Sequence, residues 1–231
     1  MKRFFGRKFN GKIILEGAEL LHLKKVLRIT EGEEVIACID DEYDYLCVVE
    51  KINKNDCLLS IKEKNICPAL PQREITLFQM LPKKEYFDNI IAKSVELGVN
   101  KIIPFTSKYT MIKEIKKERV ATQIITACKQ CERSKLVDFS SPIKIEQIPS
   151  LLKEYDLVLF AYENEEQPFS PSILSNKQKI AVIVGNEGGF SEEEATLLKK
   201  YSTCISLGKR ILRCDTAVVA TLSLVSILTN N

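Results

Sequence analysis

Gly185, Gly188 and Gly189, followed by Ser191 and Glu194, are spaced as a ligand-holding loop would be. Ile180-Ala-Val-Ile-Val184 runs straight into the first of them, and an unbroken Ile/Ala/Val run closed by glycine reads as a strand buried on both faces. Gly188 and Gly189 free the backbone for positive φ and for close approach by another group. Ser191 with Glu194 three residues on is a capping box, so a helix begins there. Strand, glycine loop and capped helix make a ligand site at the carboxyl end of a strand. The spacing is neither G-x-G-x-x-G nor G-x-x-x-x-G-K-[ST]. Glu192, Glu193 and Glu194 also fill the first helical turn, where they satisfy the dipole and repel an anion. A neutral or cationic ligand therefore fits better than a phosphate, and a tight turn with no ligand is the alternative.

A second junction of the same kind is Leu207-Gly-Lys-Arg-Ile-Leu-Arg-Cys-Asp-Thr-Ala217, which carries the cations Lys209, Arg210 and Arg213. Asp215 reads as the N-cap of a last helix from Thr216 to Leu228. The Ala, Val and Leu of that helix leave almost no polar face, which puts it in the core or in an interface. Metal chemistry finds no support: the single histidine is His22, and the eight cysteines are scattered, mostly in apolar segments. Cys128 and Cys131 form a C-x-x-C, but on a helix-like segment without a second pair.

The elements that must position these loops fall into two groups. Residues 1–70 read as a small β unit, with strands at 34–39, 45–49 and 57–61, an acidic hairpin turn at 40–44, and a helix at 19–28. Cys67-Pro-Ala-Leu-Pro-Gln72 reads as an extended connector. From 73 to 231 strands alternate with helices, the signature of an α/β domain with a mostly parallel sheet. Its strands are expected at 75–81, 101–105, 156–161, 180–184 and 203–207. Gly98 is placed to end the first helix, and Pro104 argues for a sheet edge or strand end.

Net charge is only +3, from 34 basic and 31 acidic side chains. Its distribution is uneven: residues 1–30 hold eight Lys/Arg against two Glu, and residues 31–72 hold four basic against ten acidic side chains. Such a division could orient a polyanion, and a solvated surface reads the same way. No apolar run reaches the ~20 residues of a membrane span. The N-terminus turns polar at once, so a cytoplasmic protein with no membrane partner is expected.

The two junctions, Gly185-Asn-Glu-Gly-Gly-Phe-Ser191 and Leu207 to Ala217, resemble the closing motifs of the SPOUT (trefoil-knot) methyltransferases, most closely the RsmE family. The resemblance extends in order through His22-Leu-Lys-Lys-Val-Leu-Arg28, Leu81-Pro-Lys-Lys-Glu85, Glu96-Leu-Gly-Val99, Thr106-Ser107 and Gln130-Cys-Glu-Arg133. Two departures stand out: Asn186 takes the place of the family's proline and Asp215 that of its glutamate. Asn accepts turn geometry and Asp is the better N-cap, so neither departure is expected to abolish function; a looser loop with weaker cofactor binding at Asn186 is the alternative.

The resemblance implies an N-terminal PUA-like β-barrel that binds RNA and a C-terminal α/β domain threaded into a deep trefoil knot. It implies a homodimer, S-adenosylmethionine (SAM) as cofactor, and methylation of uridine N3 in 16S rRNA or the small ribosomal subunit. Carried over residue by residue, the cofactor site comprises Phe160, Val184, Gly185, Glu187, Gly188, Leu207, Gly208, Ile211, Leu212 and Ala217, with Ile211 and Leu212 against the adenine. Arg213 is the candidate catalytic cation, the alternative being an ion pair with Asp215 or with a second subunit. RNA phosphates would meet Arg3, Lys8, Lys24, Lys25, Arg28, Lys83, Lys84, Arg133, Lys209 and Arg210. Rival readings are a ribose 2′-O-methyltransferase of the same superfamily, a non-catalytic RNA-binding protein that keeps the fold, and a nucleotide-dependent enzyme.

Overall fold

In the computed structural model, residues 1–110 and 115–229 are described, and the chain divides into two compact units. One unit is Met1–Leu70 together with Cys128–Leu136; the other is Pro71–Ala127 together with the chain from Val137 onward.

The first unit holds β1 (Arg3–Phe5), β2 (Arg7–Phe9), β3 (Lys12–Glu16), α1 (Gly17–Leu21), β4 (Glu34–Cys38), β5 (Tyr43–Ile52) and β6 (Asp56–Ile66). Its sheet runs β1-β4-β5-β6-β3-β2, antiparallel except where β1 lies parallel to β4. Alternate residues such as Val35 and Ala37, Cys47 and Val49, and Cys57 and Leu59 turn inward to one core, as the period of two requires. The acidic stretch 40–44 joins β4 to β5 as a hairpin. The expected helix at 19–28 is shorter and changes pitch. After α1 the chain winds one π turn, His22–Val26, closed by Leu27 N–H to the His22 carbonyl at 3.0 Å. The wider turn keeps Leu20 and Leu23 in the core while Lys24, Lys25 and Val26 face solvent. Segment 128–136 joins this unit through side chains: Lys129 Nζ lies 2.9 and 3.1 Å from the Glu19 carboxylate and 3.0 Å from His22 Nδ1.

The second unit contains β7 (Glu74–Met80), α2 (Lys84–Glu96), β8 (Lys101–Thr106), α3 (Lys117–Gln130, its last turn in the first unit), β9 (Asp138–Phe139) and β10 (Ile143–Lys144). It continues with α4 (Ile148–Leu152), β11 (Leu157–Ala161), β12 (Lys179–Val184), α5 (Glu192–Lys199), β13 (Thr203–Ile205) and α6 (Cys214–Thr229). The sheet is parallel throughout, in the order β10-β8-β7-β12-β11-β13, with β9 also beside β8. The apolar run of β12 sits between β7 and β11, and Ile180 to Val184 are all buried. Pro104 lies inside the sheet rather than at its edge, at a place where the outer neighbour is broken. β9 pairs with Lys101 and Ile102 and β10 with Phe105 and Thr106, so no strand faces Pro104 on that side.

Helix α2 stops at Leu97, and Gly98 follows at φ +84°, a left-handed closing residue. Helix α6 begins two residues earlier than expected. Ala217 N–H donates to the Arg213 carbonyl at 2.8 Å, so Arg213 rather than Asp215 is the capping position. The Asp215 carboxylate instead accepts from Thr216 N–H (2.9 Å) and Asn89 Nδ2 (3.0 Å). Val218, Leu222 and Val225 bury one face of α6, which packs on α2 and β12. Its other face carries Val219, Ala220, Leu224 and Ile227, partly or largely exposed.

Candidate functional site

Parallel strands end on the same side, so the loops after β7, β8, β11, β12 and β13 share one edge of the sheet. The glycine loop (185–191) and the basic loop (206–213) leave strands separated only by β11, about 10 Å apart at the usual strand spacing.

The glycine loop is held by side chains that reach into it. Gln79, fully buried near the end of β7, donates from Nε2 to the Met80 carbonyl (2.8 Å) and the Gly185 carbonyl (3.1 Å). Asn186 donates from Nδ2 to the carbonyls of Leu81 (3.1 Å) and Tyr109 (3.3 Å), and its Oδ1 accepts from Gly188 N–H (2.9 Å). Asn186 thus ties the loop to two neighbours. Glu187 accepts from Lys83 N–H at 3.1 Å. The capping box forms, with Ser191 N–H to Glu194 at 2.9 Å and Glu194 N–H to Ser191 at 3.3 Å, and Glu194 also accepts from Lys108 N–H at 2.8 Å.

The protein itself fills the space that glycine opens. A Cβ at Gly188 would lie 2.9 Å from Tyr109 Cβ. One at Gly189, where φ is +63°, would lie 2.6 Å from the Glu163 carboxylate. A side chain at Gly188 would overlap the Tyr109 Cβ, whereas at Gly189 it would meet only the movable end of the exposed Glu163 side chain.

The basic loop has the opposite character. Ile211 is 93% exposed, Leu212 is half-buried, and Lys209, Arg210 and Arg213 all face solvent. Among the described residues Arg213 forms no ion pair, since Asp215 is engaged elsewhere. A guanidinium at the N-terminus of the 16-residue α6 opposes that helix's dipole. Helix stability alone does not call for a cation there. Cys214, next in sequence, is buried, and burial pushes its thiol up to about 12.

Other sequence candidates fall elsewhere. Phe160 is fully buried in the core, 5.3 Å from Tyr162 and 4.9 Å from Phe190 between ring centres. The Val184 side chain is likewise core. Gly185, Leu207, Gly208 and Ala217 lie in the two loops and the first turn of α6. Of the cations, Arg3 is buried and clamps Asp44 through two contacts at 2.5 and 2.9 Å, away from the exposed cations. Arg133 is 2% exposed and is equally withdrawn. Lys8, Lys24, Lys25 and Arg28 remain on the surface of the first unit, with Arg28 at φ +52°. Lys83 and Lys84 are exposed on the second, where with Glu85, Asp88 and Arg119 they line a shallow groove. Sequence reasoning missed Gln79; a lone amide within an apolar strand run was the available signal.

Residues 68–226 match the family described as RNA methyltransferase domain, and residues 15–62 match RNA methyltransferase PUA domain. The Ribosomal RNA small subunit methyltransferase E of Rickettsia conorii is 31% identical, over 95% of this chain and 91% of its own length. The chain belongs to the ribosomal RNA small subunit methyltransferase E family. Members and neighbours of solved structure share its fold. A methyltransferase from Legionella pneumophila, solved with bound SAM, is 26% identical with a TM-score of 0.84, covering 98% of this chain and 97% of the other. The Neisseria gonorrhoeae methyltransferase E, also solved with SAM, is 24% identical with a TM-score of 0.87, covering 99% and 98%. The methyltransferase E family fold is thus a PUA-like β unit and a parallel α/β unit of the SPOUT type.

Proposed function

We propose that the protein is a SAM-dependent methyltransferase that modifies N3 of a uridine in 16S rRNA and works as a homodimer. The observation that carries this reading is the pairing, at one sheet edge, of a braced acidic glycine loop with a loop that exposes Ile211 and Arg213. The donor set suits SAM. Ile211 and Leu212 offer apolar surface for an adenine, and Glu163 and Glu187 are exposed carboxylates compatible with a sulfonium and an ammonium. Backbone groups of Gly185, Glu187, Gly188, Leu207, Gly208 and Ala217 would supply the hydrogen bonds.

When bound, SAM supplies a methyl group on a positively charged sulfur, an electrophile already activated. The protein's tasks are to align the uracil and to favour loss of its N3 proton. The resulting negative charge spreads over N3 and the flanking carbonyl oxygens, and the exposed guanidinium of Arg213 stabilises it. Lys209 and Arg210, in the same loop, bind phosphate. Lys8, Lys24, Lys25 and Arg28 on one unit and Lys83 and Lys84 on the other contact the RNA backbone, which fixes register without reading sequence. The half-exposed apolar face of α6, with Val219, Ala220, Leu224 and Ile227, is the surface a second copy would cover.

Mass spectrometry of 16S rRNA from a strain lacking the gene tests the assignment. The N3-methyluridine should disappear and return on complementation; its persistence refutes the target. Titration with SAM, ATP and NAD separates the enzyme from a non-catalytic RNA binder, which binds none of them, and from a nucleotide-dependent enzyme, which prefers the last two.

A further inference from the structure

Asn186 stands where three loops of the second unit meet. Its amide nitrogen donates to the carbonyls of Leu81 and Tyr109, which lie 105 and 77 residues away in sequence. Its amide oxygen accepts from Gly188 N–H at 2.9 Å, and its own carbonyl accepts from Gly189 N–H at 3.1 Å. Only a side-chain amide has two donors and an acceptor at this reach: aspartate lacks the donors, and serine lacks the length. Proline, the residue that the resemblance expects here, restricts one dihedral and offers no side-chain hydrogen bond. The three side-chain contacts of Asn186 therefore set the height of Gly188 relative to loops 81–83 and 107–110. Gln79 and Glu187 secure the residues on either side, Gly185 through its carbonyl and Glu187 through Lys83 N–H.

We infer that Asn186 is a positioning residue, a cross-brace that holds three loops in the arrangement that receives the cofactor. The inference rests on the reading of this sheet edge as a SAM site. It predicts an effect on cofactor affinity, transmitted through loops that Asn186 touches only by its amide.

The test compares the full-length protein with Asn186→Ala and Asn186→Asp, by amide hydrogen exchange and by calorimetric titration with SAM. In the alanine variant, exchange in 81–83 and 107–110 should quicken about tenfold while the strands of the first unit keep wild-type rates. SAM should bind about tenfold more weakly, equivalent to about 1.4 kcal/mol. The aspartate variant keeps the acceptor for Gly188 N–H, so Gly188 should stay protected while the other two loops exchange as fast as in the alanine variant. Unchanged exchange in both loops overturns the brace. Faster exchange with unchanged SAM affinity overturns the positioning role, and a uniform rise across the whole second unit shows a merely structural part. If wild-type protein binds no SAM, the functional reading fails, and the exchange arm still decides whether the brace exists.

Discussion

Gln79 Nε2 lies 3.1 Å from the Gly185 carbonyl oxygen, so one buried amide ties the end of β7 to the first residue of the glycine loop. The same nitrogen serves the Met80 carbonyl at 2.8 Å, which spends both of its protons on backbone oxygens. Gln79→Glu replaces that donor with an acceptor facing two carbonyls in a fully buried position. The expected loss is about 3 kcal/mol of stability, read from urea midpoints. A loss below about 0.5 kcal/mol would mean the two hydrogen bonds are dispensable.

Arg213→Ala removes an exposed cation that has no ion pair among the described residues, so folding should be unaffected. Turnover on 16S rRNA should fall about 10²–10³-fold, the usual cost of removing one charge-stabilising donor. SAM affinity should stay within about threefold. Equal losses in both would reassign Arg213 to cofactor binding.

Gly189 adopts φ +63° with the Glu163 carboxylate where a Cβ would stand. Gly189→Ala imposes left-handed backbone strain and should cost about 2 kcal/mol, the exposed Glu163 carboxylate being free to swing away from the new Cβ. Thermal melting should show a fall of about 4–8 °C for a chain of this size. Gly11, also left-handed at φ +76° but with open space around it, is the control that isolates the backbone contribution.

Two groups of cations should separate in mutagenesis. Arg3→Ala leaves Asp44, whose side chain is 14% exposed, without its partner and should destabilise by about 3–5 kcal/mol. The double change Lys24→Ala/Lys25→Ala should leave stability within about 0.5 kcal/mol. It should flatten the salt dependence of RNA binding by about 1.4 in the log–log slope for two lost phosphate contacts on a single strand. Unfolding curves and binding isotherms at several salt concentrations check both.

Burial pushes the thiols of Cys38, Cys47 and Cys214 up to about 12 and that of Cys57 to about 11, from an ordinary 9.0. A raised value means the native state holds its proton more tightly than the unfolded chain does. The contribution is whole below pH 9.0 and drains away as pH rises toward 12, because only the unfolded chain ionises in that window. Urea midpoints should therefore fall between pH 8.5 and 10.5. Cys47→Ala should make that fall shallower. A thiol reagent at about pH 8 should label the half-exposed Cys131 and Cys204 before any buried thiol.

Much of the second unit was legible because its signals are local. The capping box needs only Ser191 and Glu194, the end of α2 only Gly98, and the buried strand only the run from Ile180 to Val184. The glutamates after the glycine loop argued against phosphate from sequence alone, and Glu194 does sit in the first turn of α5. The start of α6 was misplaced because the competitor for Asp215 was Asn89, 126 residues away, which no local rule includes. The fates of Arg3 and Arg133 were hidden for the same reason. Their basic character fitted a surface as well as the interior; the pairing of β1 and β5 with β4 brings Arg3 to Asp44, and Arg133 is buried.

The sequence by itself determined the alternation of strands and helices, the two loop motifs and the family to which the chain belongs, since each depends on residue type and short spacing. Tertiary structure alone decided which side chains hold those loops in place. Gln79 and Asn186 reach carbonyls that chain order keeps about a hundred positions away, and parallel strand order brings them within hydrogen-bonding range. It also brought Tyr109 and Glu163 beside Gly188 and Gly189 and left open apolar surface at Ile211. A hydrogen bond is a relation between two distant points of the chain, and only the fold supplies the second point.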